Sequence, residues 1–379
     1  MNIVADENIP FAREAFERLG DLVTVNGREI TRDLVRDADA LIVRSVTRVN
    51  AELLEGTSVR FVATATIGFD HVDVEYLRRR RISFASAPGS NANSVAEYII
   101  AALLVLAMRG GFRLEGKTIG VVGVGNVGSR VVRKAKALGM RVLENDPPIQ
   151  RQTGDPRFLP LGDLLDADVL TFHVPLTRTG AEPTFHMIND TLLNQLKPGA
   201  ILINTSRGAV ADSESVLRSA ESKRLGGLVL DVFENEPEIN PALVERADIA
   251  TPHISGYSFD GKVNGTVMVY GAACDFFGHT AQWDPGDVMP PPPHPRLIAR
   301  SNCDDEDALR ELVLTIYDIE ADDRRMRGIL DLPSFDQSPY FDDLRKTYPI
   351  RREFHNTVVD AGNASSLLLD KIAGLGFRL

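Results

Sequence analysis

Only two cysteines, Cys274 and Cys303, occur in the 379-residue chain. Two thiols in a chain of this length build neither a disulfide framework nor a thiolate metal cluster. His186, His279, His294 and His355 show no metal-ligand spacing, and no metal is expected. Positive charge is also short: 42 Lys and Arg against 53 Asp and Glu leave a net charge of −11. That balance argues against nucleic acid or an anionic membrane surface as partner, while leaving room for a basic pocket and an anionic substrate. The opening MNIVADENIP has no basic stretch followed by an apolar core, so no secretory signal is read. The apolar run Leu103–Ala107 is too short to span a bilayer. A cytoplasmic protein is the expectation. No internal repeat occurs, and MPPPPHP at 289–295 is the one low-complexity segment.

What the chain does have is concentrated in TIGVVGVGNVG, from Thr118 to Gly128. Ile119, Val121 and Val122 read as a buried strand. Gly123, Gly125 and Gly128 give G-x-G-x-x-G, and Ser129–Leu138 reads as a helix. Asp146 lies 18 residues beyond Gly128, after a second strand-like run at Arg141–Leu143. Strand, glycines, helix, strand and acid in this order form a dinucleotide-binding fingerprint. The first glycine makes the turn, the second lets backbone approach a pyrophosphate, and the third lets helix and strand pack closely. Unpaired N–H groups and the helix dipole favour the diphosphate at the helix start, beside Asn126 and Val127. Asp146 is expected to accept from the adenosine ribose hydroxyls and to repel a 2′-phosphate, which selects NAD over NADP.

The hydropathy pattern places this motif in an α/β chain. Ile3–Ala5, Leu22–Val25, Leu41–Val43 and Phe61–Ala65 are short apolar runs separated by helical patterns such as Ala12–Leu19, which predicts a small parallel unit. Ser94 and Glu97 suggest a capping box ahead of an apolar helix over Val95–Met108. Strand candidates at Ile119–Val122, Arg141–Leu143, Val169–Phe172, Ile201–Asn204, Leu228–Val232 and Asp248–Ala250 fit a doubly wound sheet. A helix is expected over Tyr257–Phe277, then a stiff linker through the prolines, then a tail opening with a charged helical stretch at Asp304–Arg327. The expected domains are 1–93 with 257–285, 94–256, and 286–379. Two crossings between the first two make a hinge.

Ligands of a doubly wound sheet sit beyond the carboxyl ends of its strands. Arg207 follows ILINTS there, Glu236 follows LDVFEN, and His253 follows DIATP. Oxidising a 2-hydroxy acid requires a held carboxylate, an acceptor for the hydroxyl proton and a route for the hydride. A guanidinium holds a carboxylate through paired bonds. A histidine takes and returns a proton near neutrality, and a carboxylate against it fixes the tautomer and favours the imidazolium. The plainer readings are a structural His253 and an Arg207–Glu236 ion pair.

GVGNVGS, INTSRG, DVFENEP and TPHISG, in this order and spacing, resemble the D-isomer-specific 2-hydroxyacid dehydrogenases over about residues 1–285. The resemblance implies an α/β fold with a doubly wound, NAD-binding Rossmann domain, a flavodoxin-like substrate domain and an α+β C-terminal dimerisation domain. It implies NAD as cofactor and Arg207, Glu236 and His253 as catalytic residues. MNIVADENIP, VRSVTRVN, TIGFDHVD, GSNANSVAEY, HISGYSFDGK and the tail are similar to one branch, which oxidises a phosphorylated four-carbon 2-hydroxy acid. By the same resemblance Ser45, Thr66 and Tyr257 contact substrate, with backbone N–H groups near Gly68 on its carboxylate. Thr205, Ser206, Arg207, Asp231 and Gly256 surround the nicotinamide half, and Val174 offers NAD only its backbone. Arg44, after the Leu41–Val43 run, is expected to take the phosphate, with Arg351 or Arg352 of YPIRREF as further candidates. The partners are then a small phosphorylated hydroxy acid and a second copy of the chain. A 3-phosphoglycerate dehydrogenase and a non-catalytic NAD-sensing interaction protein stay open as alternatives.

Overall fold

Runs of Ile, Val, Leu and Ala without polar alternation become parallel strands covered on both faces. The computed structural model describes residues 1–300 and 302–379. They fall into two units, 1–91 with 258–291, and 92–257 with 292–379.

In the first unit, β1 (Asn2–Asp6), β2 (Asp21–Val25), β3 (Ala40–Val43), β4 (Phe61–Thr64) and β5 (Ser83–Ala85) form a parallel sheet. Its order, β2-β1-β3-β4-β5, is the flavodoxin-like one. Four strands coincide with the apolar runs, whereas β5, in ISFAS, carries too weak a run to be read. The helix Phe259–Phe277 starts at Ser258, whose hydroxyl accepts from Gly261 N at 2.8 Å, and stops at left-handed Gly278. Val263, Val269 and Tyr270 of this helix share a core with Ile3, Phe16, Ile42 and Phe61.

In the second unit, β6 (Thr118–Val122), β7 (Arg141–Asn145), β8 (Val169–Phe172), β9 (Ile201–Asn204), β10 (Gly227–Leu230) and β11 (Ile249–Ala250) are all parallel, in the order β11-β10-β9-β8-β6-β7. A single parallel bridge, Glu144 to Phe158, extends the sheet beyond β7. The chain reverses direction across the sheet at β6, which opens a crevice beyond the carboxyl ends of β6 and β8. The glycine loop leaves β6 and His173 leaves β8, so both stand at that crevice.

The apolar helix departs from expectation at its start. It runs Ala92–Gly110, so Ser94 and Glu97 lie inside it rather than capping it. Ser94 Oγ instead donates to Glu353 Oε1 at 2.7 Å, and Glu97 Oε1 accepts from Phe354 N at 3.0 Å. At 19 residues the helix is long and apolar enough to cross a membrane, but 83% of its most apolar window is buried inside the unit.

The tail packs on this same unit. Its helices are Asp305–Ile316, Ile319–Arg327, Ser334–Lys346 and Ser366–Leu375, with β12 (Arg296–Ile298) and β13 (Val358–Asp360) paired in parallel. The expected single helical stretch is broken at Tyr317 and Asp318, where Asp318 caps the second helix through Ala321 N. Leu312, Val313, Phe354, Leu368 and Leu375 join the core of Ile99, Leu103 and Val131. Of the tail's apolar runs Leu312–Ile316 and Leu367–Leu369, Leu312, Val313 and Leu368 bury against their own chain, whereas Leu367 stays exposed. Buried Lys134 donates to Leu375 O and lies 3.8 Å from Glu97, tying the tail to the helix of the glycine loop.

Candidate active site

The three glycines of the loop are required for different reasons. A Cβ on Gly123 would stand 2.8 Å from His173 O, and one on Gly128 would stand 2.0 Å from Gly123 O. Backbone packing alone forbids both. A Cβ on Gly125 would meet only open space. That position demands glycine only if something outside the protein fills the cradle, as a dinucleotide diphosphate does. Gly125 caps the helix Asn126–Ala137 without a side chain, leaving its first N–H groups for an anion. NAD fits this donor set. Asp146 fixes the loop from the far side: Oδ2 accepts from Val124 N at 2.8 Å and Oδ1 from Ile149 N at 3.1 Å. Arg151, the first basic residue past Asp146, is held by both oxygens of Glu182 and offers no anchor for a 2′-phosphate. Val174 packs against the first glycine, its Cγ1 3.0 Å from where a Gly123 Cβ would be.

His253 follows β11 in a left-handed conformation, φ 56°. Its Nδ1 lies 2.7 Å from Glu236 Oε2, and Glu236 Oε1 accepts from Phe233 N at 2.8 Å. Burial pushes the Glu236 carboxyl upward, but the imidazole, the Phe233 amide and the Arg345 charge together hold it below its ordinary value. With Nδ1 engaged, Nε2 is the nitrogen left for a substrate proton. Fully buried Asp231 pins the loop beneath. It accepts from Thr251 Oγ1 at 2.7 Å, Ile254 N at 2.8 Å and Ser255 N at 3.0 Å. Tyr98 Oη, 2.8 Å from Thr251 Oγ1, extends the chain into the apolar helix. Asp231 thus sets the position of His253 and of buried Gly256 beyond it.

Arg207 is presented by a loop folded around Asn204. The Asn204 Oδ1 accepts from Ser206 N at 3.1 Å and Ser206 Oγ at 2.7 Å, and its Nδ2 donates to Arg207 O at 3.2 Å. Arg207 Nη1 donates to Ser206 O at 2.8 Å. A Cβ on Gly208 would stand 1.8 Å from Phe233 O, so this loop abuts the segment that leads to Glu236. His173 bonds Thr171 Oγ1 at 3.0 Å and Thr205 Oγ1 at 3.5 Å. Burial lowers its pKa to about 3, which keeps the ring neutral and excludes it as a proton carrier near neutrality.

Residues of the first unit stand as follows. Half-buried Arg44 reaches Asn8 O at 3.5 Å and makes no ion pair among the described residues. Ser45 is exposed. Thr66 Oγ1 donates to Gly68 O at 2.9 Å and meets Thr64 Oγ1 at 2.7 Å, which in turn meets His71 Nε2 at 3.1 Å.

In the tail, Arg351 and Arg352, the further phosphate candidates, are each 6% exposed. Arg351 donates to Ser255 O at 2.6 Å and Arg352 to Asn356 Oδ1 at 2.7 Å, so packing has turned both inward. Arg345, which no motif singles out, donates instead to Tyr257 Oη at 3.0 Å. A further cluster unread in the sequence joins His186, Asp212 and Glu234, whose ligand-type atoms lie within 4.8 Å of one another. His186 bonds Glu234, which also accepts from Ser213 N, and Asp212 accepts from Ser215 Oγ.

A parallel doubly wound sheet, a glycine cradle at its switch point and a His–Glu pair on its carboxyl edge define a nucleotide-dependent dehydrogenase class. The chain belongs to the D-isomer specific 2-hydroxyacid dehydrogenase family, whose NAD binding domain model matches residues 106–255. Erythronate-4-phosphate dehydrogenase of Yersinia pestis (strain Pestoides F) is 46% identical over 378 residues, which cover 100% of this chain and 99% of that protein. Among solved structures, the NAD+-bound 3-phosphoglycerate dehydrogenase of Entamoeba histolytica matches with a TM-score of 0.63 and 28% identity, covering 75% of this chain and 98% of that one. The D-lactate dehydrogenase of Aquifex aeolicus, complexed with NAD and lactic acid, matches with a TM-score of 0.61 and 26% identity, covering 73% and 96%. Residues 288–376 match a domain of unknown function (DUF3410).

Proposed function

We infer that the chain oxidises 4-phospho-D-erythronate at C2 to 2-oxo-3-hydroxy-4-phosphobutanoate with NAD, a step of pyridoxal 5′-phosphate (vitamin B6) synthesis. Full-length identity of 46% to a dehydrogenase of that name supports the substrate. The observation that carries the chemistry is the 2.7 Å His253–Glu236 contact, on the sheet edge that also bears the glycine cradle.

Gly123, Gly125, Asn126 and Val127 hold the NAD diphosphate and Asp146 the ribose, with Val174, Thr205, Ser206, Arg207, Asp231 and Gly256 around the nicotinamide half. When bound there, NAD would supply the acceptor for the C2 hydride. Arg207 holds the carboxylate. His253 Nε2 takes the hydroxyl proton as the C2 carbonyl forms, Glu236 stabilises the resulting imidazolium, and His253 returns the proton in the reverse direction. Ser45, Thr66, Tyr257 and Arg44 are the proposed substrate contacts. The protein acts in the cytoplasm as a homodimer joined through the tail, where Ile298, Leu367 and Leu379 remain 79%, 56% and 57% exposed.

The test is turnover by the purified protein with NAD. NADH should form from 4-phosphoerythronate with kcat/KM about 100-fold or more above that for 3-phosphoglycerate, which lacks one carbon between the reacting and phosphorylated ends. Faster turnover of 3-phosphoglycerate would overturn the substrate. Tight NADH binding without turnover of any 2-hydroxy acid would leave a sensor rather than an enzyme.

A further inference from the structure

Within the second unit, the tail helix Ser334–Lys346 ends beside the segment that carries His253. Arg345 near its end donates from Nη2 to Tyr257 Oη at 3.0 Å, and its guanidinium lies 5.7 Å from the centroid of that ring. Its Nε is buried and has no hydrogen-bond partner. It forms no ion pair among the described residues, and Tyr257, Glu236 and Asp342 are the groups whose charge acts on it through space. Tyr257 is four positions beyond His253 in one loop.

A partly buried cation with an unmade N–H bond and no carboxylate in direct contact is destabilising unless something completes it. Arg327 of the tail binds Asp323 at 2.9 Å together with two carbonyls. Arg351 also leaves buried Nε and Nη1 without hydrogen-bond partners, but it donates to Ser255 O at 2.6 Å and is closed in over the Tyr317 ring at 4.1 Å with only 6% exposure. Arg345 alone among these three borders the His253–Glu236 pair while keeping some exposure. A guanidinium with donors to spare matches the oxygens of a phosphate, to which it bonds through charge-assisted pairs.

We propose that Arg345 binds the phosphate of the substrate, so that the segment matched only by a domain of unknown function supplies part of the active site. The proposal rests on the reading of a phosphorylated substrate above. It assigns to the tail a specificity-determining role beyond dimer formation. The carboxylate stays with Arg207, and Arg345 serves the opposite end of the four-carbon chain.

The test uses the full chain and the variants Arg345→Gln and Arg345→Lys, with NADH affinity confirming an intact cofactor site. In Arg345→Gln, KM for 4-phosphoerythronate should rise at least about tenfold with kcat within about threefold, while kcat/KM for unphosphorylated D-erythronate falls by no more than about threefold. Inhibition by inorganic phosphate should weaken by about the same factor. Arg345→Lys keeps the charge without the fork and should lose about threefold, which preserves the contrast should the glutamine variant fold poorly. Equal losses on both substrates, or a lower kcat and a shifted pH profile at unchanged KM, would show that Arg345 only positions Tyr257 and Glu236. A wild-type protein inactive on 4-phosphoerythronate removes the proposed function itself. Arg345 is then judged by phosphate alone, whose thermal stabilisation of the wild type must be lost in Arg345→Gln.

Discussion

Two of the histidine–glutamate pairs in the second unit are nearly identical as contacts. His253–Glu236 and His186–Glu234 both close at 2.7 Å, with side-chain exposures of 31% and 18% in the first and 34% and 20% in the second. Both histidines adopt positive φ, 56° and 51°, and both glutamates accept a backbone N–H with their other oxygen. They differ in what the rest of the imidazole faces. His186 bonds through Nε2, stacks on Phe185 at 3.9 Å and has Asp212 close by. His253 bonds through Nδ1, follows a strand end of the sheet, and sits in a loop pinned by Asp231. A short His–carboxylate contact is therefore a positioning device. Chemistry comes from the nitrogen it leaves over and the place where that nitrogen stands.

The comparison breaks if the two glutamates behave alike. Glu236→Gln should lower kcat by about 10²-fold and move the acid limb of kcat/KM to lower pH, because a neutral amide no longer favours the imidazolium. Glu234→Ala should leave kcat within about threefold and lower stability by about 1 kcal/mol, through the lost bond at the start of the Ser213–Glu221 helix. A pH titration of Tm checks the third histidine. Both glutamates are held below the ordinary value of 4.5, so each lends stability above that pH which is lost as pH falls through the lowered value. His173 acts earlier: it stays neutral in the fold down to about 3, whereas the unfolded chain takes up its proton near 6.5. Its burial should therefore draw stability down as pH falls from 6.5, by at most about 1.4 kcal/mol per pH unit. His173→Asn should flatten that slope, and an unchanged slope would show that the ring is not held neutral.

Local constraints were legible in the sequence, and long-range pairings were not. β6 to β11 stood out because buried parallel strands require uninterrupted apolar runs, and the glycine loop because backbone geometry leaves no other residue at Gly123 and Gly128. Arg207, Glu236 and His253 could be singled out because each follows a strand end. The capping box at Ser94 failed because its partner, Glu353, lies 259 positions away and wins over the local bond. The same applies to Arg351 and Arg345 of the tail, whose partners Ser255 O and Tyr257 Oη lie 96 and 88 positions away. Nothing in sequence joins His186 to Glu234, 48 positions apart.

Side-by-side steady-state kinetics of His253→Asn and His186→Asn with 4-phosphoerythronate and saturating NAD is the most direct test of the central claim, that His253 Nε2 is the proton acceptor. The account expects His253→Asn to lose about 10²–10⁴-fold in kcat with NADH affinity retained, and His186→Asn to stay within about threefold of wild type. A His253→Asn protein that keeps more than about a tenth of wild-type kcat, or a His186→Asn protein that loses as much, would contradict it.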